Sequence, residues 1–279
     1  METFDGTDGT RLAYHCSGDG PALICLPGGP MQDSAYLGDL GGLAAHRTLV
    51  RLDLRGTGES AVPADPESYR CDRQVADVEA LRRHLGLERV DLAAHCTGAT
   101  LALLYAARHP ERVDRLVLLN PSPRPVGVEV TDRDRRELAE LRRQEPWFPA
   151  AFAAFERIWA GRADDEDWAA ITPFTWGRWD AAARAHHERE ASWRHPDAAA
   201  GYYADGAFDP AAVRSAVAHL AAPVLLVAGE YDVALPPTRA AEYADLFPKG
   251  ELAVQPGGGH QPWLDDPHWF VDTVARFLG

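Results

Sequence analysis

The chain of 279 residues has almost no lysine: Lys249 stands alone, and arginine carries the rest of the positive charge. Basic residues are outnumbered overall, 28 against 42 acids, for a net charge of −14. A surface this acidic repels phosphate backbones and anionic lipid headgroups, which excludes nucleic acid and membrane surfaces as expected partners. Cysteine is also sparse. Cys16, Cys25, Cys71 and Cys96 are the only four, and no pair has the C-x-x-C spacing of a zinc site or a redox dithiol. Four are too few for a disulfide scaffold, so free thiols in a reducing, cytoplasmic setting are expected. No run approaches the length of an apolar membrane span. The first residues, METFDGTDGTRLAYHC, lack both a basic and an apolar region, so no leader is expected. Gly56-Thr57-Gly58 lacks the lysine of a phosphate loop, and no metal-ligand cluster is visible, so neither a metal nor another cofactor is expected. The remainder, 46% hydrophobic and 25% charged, has the composition of a folded domain with a sizeable core.

Six apolar, β-rich runs each end at a turn signal: 22–29, 48–58, 89–98, 112–123, 222–232 and 251–260. Near-continuous apolar strands point to a parallel sheet covered on both faces. Helical patterns lie between them. In 72–87, Val75, Val78, Leu81 and Leu85 share one face; 97–110 is apolar nearly all round and stops before Pro110. This alternation predicts a doubly wound α/β sheet, mostly parallel. Residues 122–215 break the rhythm. They open on PSPRP, hold no strand-like run, and read as helices over 131–145, 149–160 and 178–194. Six of the eight tryptophans fall there. The expected organisation is a core of 1–121 and 216–279, with 122–215 inserted as a helical cap after the strand at 113–119.

Chemistry concentrates at three places. The segment Ala94-His95-Cys96-Thr97-Gly98 passes from a strand into a helix through one tight turn. A side chain at such a turn projects above the sheet, and the start of the following helix favours an anion there. Cys96 is therefore the candidate nucleophile. A nucleophile needs a base, and the base an orienting acid. Asp232 follows the strand at 222–229 and His260 follows the strand at 251–255, both at the strand ends where open α/β sheets build their sites. Glu230 is the rival of Asp232. Acyl transfer also needs donors for an oxyanion. These are assigned to the backbone N–H of Thr97 and to Gly29 in Pro27-Gly28-Gly29-Pro30, with Gly28 as the alternative. His95 adjoins the nucleophile and is expected to pack beneath the turn.

Together these residues resemble the proline-iminopeptidase-like branch of the α/β-hydrolase family. The turn at Cys96 resembles the nucleophile elbow G-x-S-x-G, and Pro27-Gly28-Gly29-Pro30 resembles the H-G-G-P-G loop. Asp53-Leu54-Arg55-Gly56-Thr57-Gly58-Glu59-Ser60 resembles D-x-R-G-x-G-x-S, with Asp53 and Arg55 read as structural. Three departures stand out: Pro27 for the loop histidine, Ala94 for the first elbow glycine, and Cys96 for serine. The resemblance implies an α/β-hydrolase fold and, in iminopeptidases, cap carboxylates that hold the substrate's free amine. Candidates are Glu188, Glu190 and the run Asp164-Asp165-Glu166-Asp167.

The expected activity is acyl transfer through a Cys96–His260–Asp232 triad, hydrolysing an ester, thioester or amide of a small apolar or aromatic substrate. Candidate substrate contacts are Gly28, Trp147, Trp176, Trp179, Glu188 and Tyr231. An acyltransferase or cyclase on the same triad is the alternative, because thioesters favour amines over water. A non-catalytic small-molecule binder on the same scaffold is the third reading. Oligomeric state is not encoded in any motif.

Overall fold

Apolar runs without alternation are stable only where both faces of a sheet are covered. In the computed structural model, which describes residues 1–279, they occupy the centre of one eight-stranded sheet. The strands are β1 (Glu2–Asp5), β2 (Arg11–Ser17), β3 (Ala22–Leu26), β4 (Thr48–Leu52), β5 (Val90–His95), β6 (Val113–Leu119), β7 (Val224–Gly229) and β8 (Gly250–Gln255). Their spatial order is β1-β2-β4-β3-β5-β6-β7-β8. All neighbours from β4 to β8 run parallel, while β1 and β2 add an antiparallel edge. That edge lies outside the six sequence-predicted strands. β1 has four residues and β2 is half polar, so neither carries the apolar signal of a central strand.

The helices are α1 (Cys71–His84), α2 (Gly98–Arg108), α3 (Asp132–Glu140), α4 (Phe148–Trp159), α5 (Asp165–Ala170) and α6 (Ala181–Trp193). They continue with α7 (Pro196–Tyr202), α8 (Pro210–Val217), α9 (Pro237–Ala244), α10 (Pro262–Asp265) and α11 (Pro267–Leu278). Successive strand residues feed opposite layers. Ile24, Leu92, Leu118 and Leu226 face the layer that includes residues of α1, α2, α8 and α9. Leu23, Ala93, Val117 and Val227 face the layer that includes residues of α11. The helix predicted over 131–145 stops at Glu140 and continues as turns, although its start is fixed by a capping box between Thr131 and Asp134. The helix predicted from 178 begins at Ala181, capped by Asp180. Three short helices, α5, α7 and α8, were not legible, being only six to eight residues long.

Between β6 and β7 the chain forms helices and no strand, with one isolated bridge from Arg194 to Gln32. Its two ends join the main core through Val126, Val128, Tyr202 and Val213. Its middle builds a small core of its own from Leu138, Ala151, Phe155 and Phe174, seated on Val233 just after β7. The segment also touches the loops at the sheet ends: the Tyr202 hydroxyl donates to the Thr97 carbonyl at 3.0 Å, and the Thr175 carbonyl accepts from the His260 N–H at 2.7 Å.

Asp53 and Arg55, just after β4, tie the other loops at this edge. The Asp53 carboxylate accepts from the Ser34 hydroxyl at 2.5 Å and the Glu59 N–H at 3.0 Å. Arg55 grips Asp77 of α1 with two N–H groups at 2.5 and 2.6 Å, and Asp8 with a third. Both partners of the Arg55–Asp77 pair are about 3% exposed. Burial holds the Asp77 carboxyl above its ordinary range even so. Arg55→Ala leaves Asp77 buried without its counter-ion and is expected to cost about 3–5 kcal/mol. Chemical denaturation measures this, and a loss below about 1 kcal/mol would contradict it.

Candidate active site

The turn after β5 is strained at the candidate nucleophile. Cys96 adopts φ = 50°, a left-handed conformation that L side chains rarely take. Its backbone is clamped on both sides: the Cys96 N–H donates to the Leu119 carbonyl at 3.0 Å, and its carbonyl accepts from the Ser122 N–H at 2.9 Å. Strand β6 thus holds the elbow from one side. From the other, Gly98 lies so close to the Leu26 and Pro27 carbonyls that a Cβ would come within 2.6 and 2.5 Å of them. Ala94, by contrast, has room for its methyl in the core, so the departure from glycine there carries no steric conflict. Helix α2 begins directly after the turn, so its positive end faces the sulfur.

Across from the elbow, His260 Nδ1 lies 2.9 Å from Asp232 Oδ2. The same Oδ2 accepts from Asn120 Nδ2 at 2.6 Å, and Asp232 Oδ1 accepts from the Ala234 N–H at 2.9 Å. Burial opposes the Asp232 charge, but His260 and these hydrogen bonds outweigh it and hold the carboxyl below its ordinary range. Burial likewise opposes a charge on His260. The charge of Asp232 and the hydrogen bond to it outweigh burial and raise the imidazole well above its ordinary proton affinity. With Nδ1 on Asp232, the nitrogen facing Cys96 is Nε2. Glu230, the rival acid, instead accepts from the Gly257 N–H at 2.7 Å. The other thiols differ from Cys96 in setting. Burial pushes both Cys25 and Cys71 up to about 12, which keeps them protonated and inert.

The two loop glycines also separate. The Gly28 N–H donates to the Tyr36 hydroxyl at 2.7 Å. A Cβ on Gly28 would lie 2.8 Å from both Cys96 Cβ and the His95 carbonyl, so this loop rests directly on the elbow. The backbone N–H groups of Gly29 and Thr97 have no protein acceptor. Pro30 follows Gly29 through a cis peptide bond.

The aromatic candidates form two groups. Trp147 and Tyr231 share the buried Arg142 guanidinium, which lies 5.0 and 4.7 Å from their ring centres. The rings of Trp176 and Trp179 stand 6.1 Å apart just before α6, and Trp176 lines a cleft with His186, Leu264 and Asp265. Glu188 is exposed and has no hydrogen-bond or ion-pair partner. Glu190 is mostly buried and accepts from Gln261 Nε2 at 3.1 Å, with Arg194 and His187 on its other oxygen. Asp164 and Asp167 cap the two ends of one another's turn at α5. Sequence reading missed Asn120 and Tyr36. Asn120 is the only asparagine in the chain. It also adopts a positive φ, of 42°.

A mostly parallel sheet wound with helices, a strained elbow and a carboxylate–histidine pair at the strand ends define an enzyme of the hydrolase class. The chain belongs to the alpha/beta hydrolase fold family, whose pattern it matches over residues 21–267. It is 24% identical over 296 residues to a proline iminopeptidase from Heyndrickxia coagulans, covering 99% of this chain and 98% of that one. A solved proline iminopeptidase from Mycobacterium smegmatis superposes with a TM-score of 0.73 at 25% identity, covering 99% of this chain and 97% of the other. An esterase from Thermogutta terrifontis shares the fold with a TM-score of 0.71 at 23% identity, covering 100% and 98%. No helix is long and apolar enough to cross a membrane.

Proposed function

We propose that the protein transfers acyl groups through a covalent thioester on Cys96, and that its main outcome is hydrolysis of a small ester, thioester or amide. The observation that carries this reading is a cysteine held at φ = 50° at the start of α2, facing an imidazole whose far nitrogen is 2.9 Å from a buried carboxylate. His260 Nε2 takes the thiol proton as the sulfur bonds to the carbonyl carbon. The negative oxygen that forms is held by the free N–H groups of Gly29 and Thr97. Collapse breaks the bond to the leaving group, which departs with the proton from His260. Water then attacks the thioester carbon, gives its proton to His260, and Cys96 leaves as the thiol. Helices α3–α8 act as the cap over this site. The aromatic side chains of that cap and its border, Trp147 and Tyr231 among them, favour an apolar or aromatic acyl group. Its closely placed carboxylate, Glu190, is already engaged by Gln261 and Arg194, which places less weight on a free-amine substrate.

The presence of sulfur favours a second outcome, transfer of the acyl group to an amine, because thioesters are aminolysed more readily than oxygen esters. Incubation with p-nitrophenyl butyrate tests the core reading. The expected result is an acyl adduct on intact protein that maps to the peptide containing Cys96. Ester consumption with no adduct on that peptide would overturn it. Repeating the reaction with benzylamine divides the two outcomes: N-benzylbutyramide marks transfer, and butyrate alone marks hydrolysis.

A further inference from the structure

One buried chain of hydrogen bonds runs beneath the elbow and touches neither the sulfur nor the acid. The Gly28 N–H donates to the Tyr36 oxygen at 2.7 Å. Tyr36 and His95 Nδ1 are 2.7 Å apart, and His95 Nε2 is 2.9 Å from the carbonyl of His260. A carbonyl can only accept, so Nε2 carries the ring proton and Nδ1 is the acceptor. The Tyr36 hydroxyl must then donate to Nδ1, which leaves its oxygen free for the Gly28 N–H. Every group is satisfied in a single direction.

Nothing near neutral pH can scramble this pattern. Tyr36 is 2% exposed and His95 is 4% exposed. Burial and the neighbouring His260 push His95 down to about 3, and burial holds Tyr36 well above its ordinary value. Both therefore stay neutral. The edge of Trp263 packs against the His95 ring at 4.9 Å and 89°, which fixes the ring plane.

The two ends of the chain are the two parts of the site that must be placed against Cys96. At one end, the Gly28 carbonyl accepts from the Gln32 N–H at 3.0 Å. A trans peptide unit points its N–H opposite to its carbonyl, so this bond aims the Gly29 N–H away from Gln32. At the other end, the His260 carbonyl is held by His95 while its N–H donates to the Thr175 carbonyl at 2.7 Å. The backbone of the proposed base is thus tied below to the elbow and above to the segment before α6.

We propose that Tyr36 and His95 form a positioning relay, which sets the oxyanion loop and the His260 loop in register on either side of the nucleophile. This rests on the acyl-transfer reading of the site. Tyr36 and His95 touch no reacting atom; they act through Gly28 and His260. Tyr36→Phe removes the central hydroxyl and leaves the Gly28 N–H and His95 Nδ1 without partners. His95→Phe keeps a ring of similar size but removes both the acceptor for Tyr36 and the donor for the His260 carbonyl.

Stopped-flow release of p-nitrophenol from p-nitrophenyl butyrate gives the acylation rate constant at saturation and the half-saturating concentration separately. Tyr36→Phe is expected to lower the rate constant roughly 10- to 100-fold, as small misplacements of catalytic groups do. Half-saturation should stay within about twofold, since no substrate contact is removed. His95→Phe should lose roughly tenfold or more by the same measure, and carries the test if Tyr36→Phe does not fold. Variants that acylate within twofold of the wild type, or that lose only half-saturation and Tm, overturn the relay. A wild type that forms no acyl adduct overturns the reading beneath it, and the relay with it.

Discussion

Cys96→Ala is expected to lower ester turnover by roughly 10⁴-fold or more, the scale on which triad members are lost elsewhere. The substitution is unusually clean here. Alanine keeps the Cβ that rests against Gly28 and removes only the sulfur. It tolerates the φ of 50° no worse than cysteine does, since the strain comes from the shared Cβ. The clamps on the turn are backbone hydrogen bonds to Leu119 and Ser122, which the change leaves intact. The variant should therefore fold with an unchanged Tm while losing turnover. Alanine replacements of Cys25 and Cys71 provide the contrast, because burial keeps both thiols protonated. Turnover by Cys96→Ala above about 1% of the wild type would show that the thiol is not the nucleophile.

That Cys96 could be singled out from the chain follows from local physics. A buried parallel strand, a tight turn and a buried helix are all encoded within 89–108, where mostly apolar residues lead up to the turn and resume after it. The order of Asp232 and His260 was legible for the same reason: each directly follows a strand. What joins them was not. Asn120 holds Asp232 across 112 residues, Tyr36 meets His95 across 59, and His95 meets the His260 carbonyl across 165. Pairings that long are set by strand order, and spacing along the chain carries no trace of them. The choice between Gly28 and Gly29 was open in the sequence because both sit in the same turn. Only the Tyr36 hydroxyl distinguishes them, by taking up the Gly28 N–H. The segment between β6 and β7 was legible as helical, but its short helices gain their stability from packing onto Val233 and the main core, so their bounds were not.

Asp232→Asn is expected to cost about as much as losing the nucleophile, roughly 10⁴-fold in turnover, although it removes no volume. The neighbours dictate which way the new amide points. The Ala234 N–H requires an acceptor at 2.9 Å, so the amide oxygen must take the place of Oδ1. The amide NH₂ then replaces Oδ2, where it faces both Asn120 Nδ2, 2.6 Å from the present oxygen, and His260 Nδ1. A donor now meets a donor at Asn120. At His260 it meets a ring nitrogen that must become an acceptor, so the ring proton moves to Nε2 and points at Cys96. The imidazole can no longer receive the thiol proton. Charge acts in the same direction. Burial works against a cationic His260, and the Asp232 charge is the largest force opposing burial. Without that charge the proton affinity of the ring falls, and the acid limb of the residual pH–rate profile, where the base takes up its proton, should move to lower pH, as a property of the Cys96–His260 pair. The profile of kcat against pH for p-nitrophenyl butyrate, measured on wild type and variant, reads both effects. A variant that keeps turnover within tenfold of the wild type, or an acid limb that stays in place, would mean that the Asp232–His260 contact orients no base.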